Sequence, residues 1–265
     1  MIEFFRSRSA RKEGKTVAPR VPDGQRVYAI GDIHGRSDLF AALIEAIEQE
    51  IESAGKVSCQ IVLLGDLVDR GPDSAGVIKM ARKWGKRRAV RILFGNHEEM
   101  FLKSFEDTDV LKHFLRFGGR ETLLSYGMER KAFGKGSIAE IQAQLQEVVP
   151  KKDRKFIGNF EHLIRIGDYA FVHAGIEPGR PLDEQKNRNL RWIREPFLSH
   201  TKPHEAVVVH GHTISDEPVD AGNRIGVDTG AYASGRLTAL VLEGTKRRYL
   251  SAVEKKSGKI RIEDS

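Results

Sequence analysis

Short apolar runs of strand length alternate with longer stretches whose apolar residues recur at helical spacing. Ile61-Val62-Leu63-Leu64 reads as a buried strand, as do Arg26 to Ile30 and Ala89 to Phe94. After the first run, Leu39, Phe40, Leu43, Ile44, Ile47 and Ile51 recur three and four apart behind Ser37, the expected N-cap of a helix. After the second, Asp73 to Trp84 predicts another helix. Alternating strands and helices imply a largely parallel sheet covered by helices.

Beyond residue 96 the pattern changes. Residues 97–160 predict mostly helix, with a helical hairpin broken at Gly118-Gly119 and a second apolar stripe at Ile138, Ile141, Leu145 and Val148 before Pro150. This stretch is expected to be a cap or insert packed near whatever site the chain carries. Strands resume at Tyr169 to Val172 and Val207 to Val209, then at Arg224 to Asp228, Leu237 to Leu242 and Arg248 to Val253. Gly222-Asn223 is a hairpin turn, so this half is expected to be antiparallel or mixed.

Composition adds limits. The 265 residues suffice for a sizeable core, and 40% hydrophobic with 31% charged residues is ordinary for a globular protein. No run of about eighteen apolar residues predicts a membrane span. The single cysteine, Cys59, has no intramolecular partner, which favours a reducing, cytoplasmic setting. Of the net charge of +7, residues 1–20 carry +4, from Arg6, Arg8, Arg11, Lys12, Lys15 and Arg20 against Glu3 and Glu13. We therefore expect residues 1–22 to form a basic, disordered tail, a solvated extension in preference to a contact with nucleic acid or anionic lipid. Residues 23–265 would form one domain containing the 97–160 insert.

The chemistry is concentrated where strands stop. The first three strands each end at a glycine followed by a potential metal ligand: Gly31-Asp32-Ile33-His34-Gly35, Gly65-Asp66-Leu67-Val68-Asp69-Arg70-Gly71 and Gly95-Asn96-His97-Glu98. The later strands run into His173-Ala174-Gly175 and His210-Gly211-His212-Thr213. Ligands gather at the carboxyl edge of open α/β sheets. Each piece alone has a plainer reading: Asp-X-His recurs by chance, a buried histidine is often just packed, and Asn96 would cap a helix. Their repetition at five strand ends argues for a shared site. Seven oxygen and imidazole donors (Asp32, His34, Asp66, Asn96, His97, His173, His212) exceed what one ion uses. The mix suits Mn, Fe or Zn and not Ca. Two metals sharing Asp66 is the economical arrangement, and such a pair clamps a phosphoryl group for in-line attack by water.

The three early blocks resemble the signature blocks of the phosphoprotein phosphatase family, within the calcineurin-like metallophosphoesterases. Val172-His173-Ala174-Gly175, Trp192-Ile193-Arg194 and Gly211-His212-Thr213 resemble later blocks of its bacterial and phage-type branch. The resemblance spans residue 31 to about 230. It implies an α/β fold: a β-sandwich of two mixed sheets flanked by helices. It implies that Asp32, His34 and Asp66 hold one divalent ion, and Asp66, Asn96, His173 and His212 a second, with Mn2+ favoured over Fe or Zn. By the same resemblance His97 is the general acid, Asp69 orients it, and Arg70 and Arg194 grip phosphate oxygens, with Asn96 also touching substrate.

The expected reaction is hydrolysis of phosphoserine, phosphothreonine or phosphotyrosine in a protein or peptide, by a hydroxide held between the metals. The alternative is hydrolysis of dinucleoside polyphosphates. In the resemblance, that branch often lacks an acid at the position of Asp69. Arg36 and Glu98 are expected to be helix-start charges, and for His210 a supporting role behind the site is the lesser of two readings. Asp228 would hydrogen-bond a ligand histidine, and Tyr232 would line the pocket.

Overall fold

The structure, a computed structural model, describes residues 18–265. Five of the six basic residues assigned to the tail lie outside that range. At the expected boundary, Val21 is buried and its amide donates to the Gly244 carbonyl at 3.1 Å, while the Arg20 amide donates to Asp168 at 2.9 Å. Residues 20–22 are thus tied to the domain.

The first half contains β1 (Gln25–Ile30), α1 (Ser37–Ser53), β2 (Ser58–Leu63), α2 (Ser74–Trp84) and β3 (Ala89–Ile92). The helical stretch holds α3 (Asn96–Lys103), α4 (Thr108–Phe114), α5 (Arg120–Ser125), α6 (Ala132–Lys135), α7 (Ile138–Val148) and α8 (Lys151–Ile157). Then follow β4 (Ile164–Ile166), β5 (Tyr169–Phe171), α9 (Asn187–Trp192), β6 (Val207–His210), β7 (Val219–Asp220) and β8 (Arg224–Gly226). The chain closes with α10 (Ala231–Ser234), β9 (Arg236–Glu243), β10 (Lys246–Glu254) and β11 (Ile260–Asp264).

Two mixed sheets result, ordered β11-β10-β9-β1-β2-β3 and β4-β5-β6-β8-β7. The expected parallel unit β1-β2-β3 is present, but β9 pairs antiparallel with β1 and extends the same sheet. Alternation along each strand divides its side chains between two faces. Val27, Ala29, Val62 and Leu64 point between the sheets, against Phe171, Val209, Ile225 and Val227. Tyr28, Ile30, Ile61 and Leu63 point instead to α1, α2 and the helical insert. Each large apolar side chain removed from water contributes about 1.5–3 kcal/mol, which holds the layers face to face.

Register places the site. Ile30 pairs with Leu63 and Leu63 with Ile92, so β1, β2 and β3 end side by side. Phe171 pairs with Val209 in the other sheet.

Several local expectations shift. Ser37 begins α1 rather than capping it, and the Arg36 preceding it makes no side-chain cap. Asp73 caps α2 by accepting from the Gly76 amide at 2.9 Å. β3 stops at Ile92, two residues early, and β4 and β11 were not foreseen. The hairpin break occurs as expected: Gly118, at φ 108, interrupts the helical path between α4 and α5.

Candidate active site and metal centre

Five loops deliver the site. The turn after β1 is stitched to the turn after β2 by the Ile33 and His34 amides, which donate to the Asp66 carbonyl at 3.2 and 2.9 Å, and by the Gly35 amide, which donates to Leu67 at 3.0 Å. The Gly211 amide donates to the His173 carbonyl at 2.8 Å, tying the two later loops. All five non-glycine residues with positive φ among those described lie here: His34, Asp66, Asp69, Arg70 and His212. Each such conformation costs about 1–3 kcal/mol, and strain of this kind collects at functional sites. Close approach also requires glycine here. A Cβ on Gly95 would collide with Asp66 Oδ1, and one on Gly211 with Asp32 Oδ1.

The donors converge on Asp66. Its Oδ2 lies 3.6 Å from His34 Nε2, 3.4 Å from His173 Nε2 and 4.0 Å from His97 Nε2. Two compact groups share this carboxylate, His34–Asp66–His97 and Asp66–His173–His212, the donor atoms of each lying within 4.8 Å of one another. Asn96 Oδ1 is 2.9 Å from His173 Nε2. Asp32 lies against the second group, accepting from the His212 amide at 3.1 and 3.2 Å; the compact group around His34 is completed by His97, not by Asp32. His34 Nδ1 donates to the Val68 carbonyl at 2.7 Å and His173 Nδ1 to Leu64 at 2.8 Å, which turns both Nε2 atoms toward Asp66. Backbone carbonyls orienting ligand imidazoles in this way are a recurrent feature of metal sites.

Charge gives an independent test of fit. Burial, then its neighbour Asp228, holds Asp32 well above the usual carboxylate range, and burial raises Asp228 too. Asp66 sits well below that range: burial opposes its charge, but His173, His97 and His34 outweigh it. Burial likewise opposes the charge on His173, yet Asp66 pushes it up to about 10. Burial lowers His34, and takes His212 down to about 3, so both are neutral lone-pair donors. Crowded buried carboxylates among neutral imidazoles are the environment a divalent cation relieves. The proton that His173 shares with Asp66 and Asn96 is the one an ion would displace there. The residues fit two cations.

A second constellation adjoins the first. His97 Nδ1 donates to Asp69 Oδ2 at 2.6 Å. Asp69 Oδ1 accepts from the Thr122 hydroxyl at 2.7 Å, and the Asp69 amide donates to Thr122 Oγ1 and Ser74 Oγ. Burial disfavours charge on His97, but Asp66 and then Asp69 hold it above the ordinary histidine range. Arg70 donates to His34 Nε2 at 2.9 Å and to His97 Nε2 at 3.0 Å, with its guanidinium 4.8 Å from the Tyr232 ring centroid. Each Nε2 has one lone pair, so a cation or proton there requires Arg70 to turn out of these contacts. Arg194, exposed, reaches the His212 carbonyl at 3.5 Å. Asp66, Arg70, His97, Arg194, His212 and Tyr232 line one cavity of about 390 Å³. A larger cavity of about 710 Å³, between Asp168, His204 and Asn223, contains none of them.

Three expectations need correction, and His210 follows its favoured reading. Glu98 is no surface charge: fully buried, it accepts from the Gly95, Asp66 and Leu67 amides at 3.0, 2.9 and 2.7 Å. Arg36 is also buried; it pairs with Asp38 in the first turn of α1 and ties that turn to Glu254 and the Ala231 carbonyl. Asp228 accepts from the Gly230 amide and faces Asp32; it makes no hydrogen bond to a ligand histidine among the described residues. His210 packs edge-on against Phe197, its Nδ1 donating to the Gly211 carbonyl. Thr122 and Gly118, whose carbonyl accepts from the Arg70 amide, were missed because nothing in the helical insert marks them as polar partners of a distant loop.

The description "Calcineurin-like phosphoesterase" matches residues 25–237 of the chain. Curated relatives include the protein named Bis(5'-nucleosyl)-tetraphosphatase PrpE (asymmetrical) of Bacillus subtilis strain 168. It is 29% identical over 228 residues, covering 79% of this chain and 87% of the relative. The protein of the same name from Bacillus velezensis is 27% identical over 236 residues, covering 79% and 86%. Among solved structures, one provisionally described as a diadenosine tetraphosphatase superposes with a TM-score of 0.60 at 23% identity, over 94% of this chain and 99% of that one. The cold-active protein-tyrosine phosphatase of a Shewanella species gives 0.57 at 18% identity, over 92% and 83%. These superpositions bear on the fold.

Proposed function

The chain belongs to the calcineurin-like phosphoesterases, and from that premise we propose that it hydrolyses dinucleoside polyphosphates, releasing a nucleoside monophosphate from a tetraphosphate chain. The observation that carries this reading is that relatives aligned over about four fifths of the chain bear the name of that activity. The order of the two readings expected from the sequence is thereby reversed.

Asp32, His34 and Asp66 would hold one divalent ion, and Asp66, Asn96, His173 and His212 the other. When bound, such a pair neutralises phosphate charge and supplies a nucleophilic water. The chain's own residues do the rest. Arg70 and Arg194 offer planar guanidinium groups to phosphate oxygens. Asn96 adds an amide donor beside them. Asp69, itself held by Thr122, keeps the His97 ring aligned with Nε2 facing the cavity, from where it delivers a proton to the leaving oxygen.

The second reading, a phosphoprotein phosphatase, is favoured by the Asp69–His97 pair. An alkoxide leaving from serine or threonine needs a proton far more than a departing polyphosphate does. The test is direct. Purified protein loaded with Mn2+ is given diadenosine tetraphosphate and, separately, a phosphoserine peptide. AMP and ATP as the products of the faster reaction support the proposal. Rapid release of phosphate from the peptide with the dinucleotide intact would reverse it.

A further inference from the structure

Beside the catalytic cavity lies a groove of about 600 Å³, and Met100, His113 and Trp192 line both. One wall comes from α3 and α4, the other from α9. Trp192 is 38% exposed, and its ring centroid lies 6.5 Å from that of His212. The indole is nonetheless pinned: Nε1 donates to Glu99 Oε2 at 2.7 Å, and Glu99 is itself held by Lys103 at 2.7 Å and Arg191 at 3.1 Å. Across the cavity mouth His113 packs on Phe117 at 4.4 Å, and Phe117 is 45% exposed. Large aromatic faces left in water beside a reaction site mark a binding surface, and a pinned one has little side-chain entropy left to lose on binding.

Resting on the dinucleotide reading above, we propose that this groove is the subsite for a nucleobase of the substrate, stacked on Trp192, with the exposed Arg188 available to the polyphosphate chain. Adjacency to the catalytic cavity selects this occupant: a base tethered through phosphates to the reacting phosphorus finds in this groove an apolar surface walled by the pinned indole, next to the cavity. Stacking reads the π face common to all bases.

The test uses Mn2+-loaded wild type, Trp192→Ala and Trp192→Phe. For Trp192→Ala, KM for diadenosine tetraphosphate and Ki for ATP should both rise roughly 5- to 100-fold, the loss expected for one base–aromatic stack. Ki for inorganic tripolyphosphate, which carries the chain without a base, should move less than about 2-fold, since it has no stack to lose. Trp192→Phe should recover most of the ATP affinity. Tryptophan emission should fall on titration with ATP and not with tripolyphosphate. Equal weakening for both inhibitors would reduce Trp192 to a support for His212 and overturn the proposal, as would a dinucleotide-cleaving enzyme indifferent to Trp192→Ala. A wild type that leaves the dinucleotide intact removes the functional reading itself, a different failure from the other two.

Discussion

Replacing Glu98 with glutamine tests how the turn that carries Asp66 is held. Both carboxylate oxygens are used: Oε2 accepts from the Gly95 and Asp66 amides and Oε1 from Leu67, at 2.7 to 3.0 Å, with the side chain fully buried. In the best orientation glutamine keeps its carbonyl oxygen on the Gly95 and Asp66 pair and turns an NH2 toward the Leu67 amide. One charged acceptor is lost and two donors face each other. Burial and Asp66 raise Glu98 to about 7, so at pH 8 it is charged. Its hydrogen bonds are then worth about 1 kcal/mol more than neutral ones and a stranded buried donor costs about 1–3 kcal/mol, so a loss of about 2–4 kcal/mol is expected. Urea unfolding in EDTA reads it directly, with an unchanged m-value showing that only stability has moved. Because Asp66 sits in this turn at φ 49, the variant should also bind less than its full complement of Mn2+ by elemental analysis. A variant within about 0.5 kcal/mol of wild type, the scatter of ordinary surface substitutions, with undiminished metal content would refute the reasoning.

His97→Asn should lower kcat about 10²–10⁴-fold on an alkyl phosphate such as a phosphoserine peptide, and far less on diadenosine tetraphosphate, whose leaving group needs little protonation; loss of bound metal would instead make His97 a ligand. Arg194→Ala removes one charged contact to phosphate and should raise the inhibition constant of inorganic phosphate about 10-fold, checked by competitive inhibition; an unchanged constant would place Arg194 outside the site. His210 is pushed down to about 4 by burial, from an ordinary value near 6.5. Above pH 6.5 it is neutral folded or unfolded and contributes nothing; as pH falls to 4 the unfolded chain takes up a proton that the folded one refuses. Wild type should thus lose up to about 3 kcal/mol over that window from this residue, at about 1.4 kcal/mol per pH unit. Unfolding of metal-free His210→Asn should be correspondingly less acid-sensitive, and identical pH slopes would count against this.

The sequence alone determined which candidate donors stand at strand ends, because they follow short apolar runs whose period-two and helical patterns are set by local burial. Asp32, His34, Asp66, Asn96, His97, His173 and His212 were all readable from that position. What it left open depends on contacts between distant segments. Glu98 follows the helix-start pattern of a surface charge, yet the β2 turn folds over it and makes it the acceptor for four amides, the Val68 amide being the fourth at 3.4 Å. Arg36 became a buried tie only because α10 and β10 pack against the start of α1. Thr122 has no local signal at all; it reaches Asp69 across 53 positions of chain. Periodicity reports which face of an element is buried, not which distant backbone it will meet. The partners of Asp69, the burial of Glu98 and the aromatic wall beside His212 were therefore decided only when the two sheets and the helical insert closed on one another.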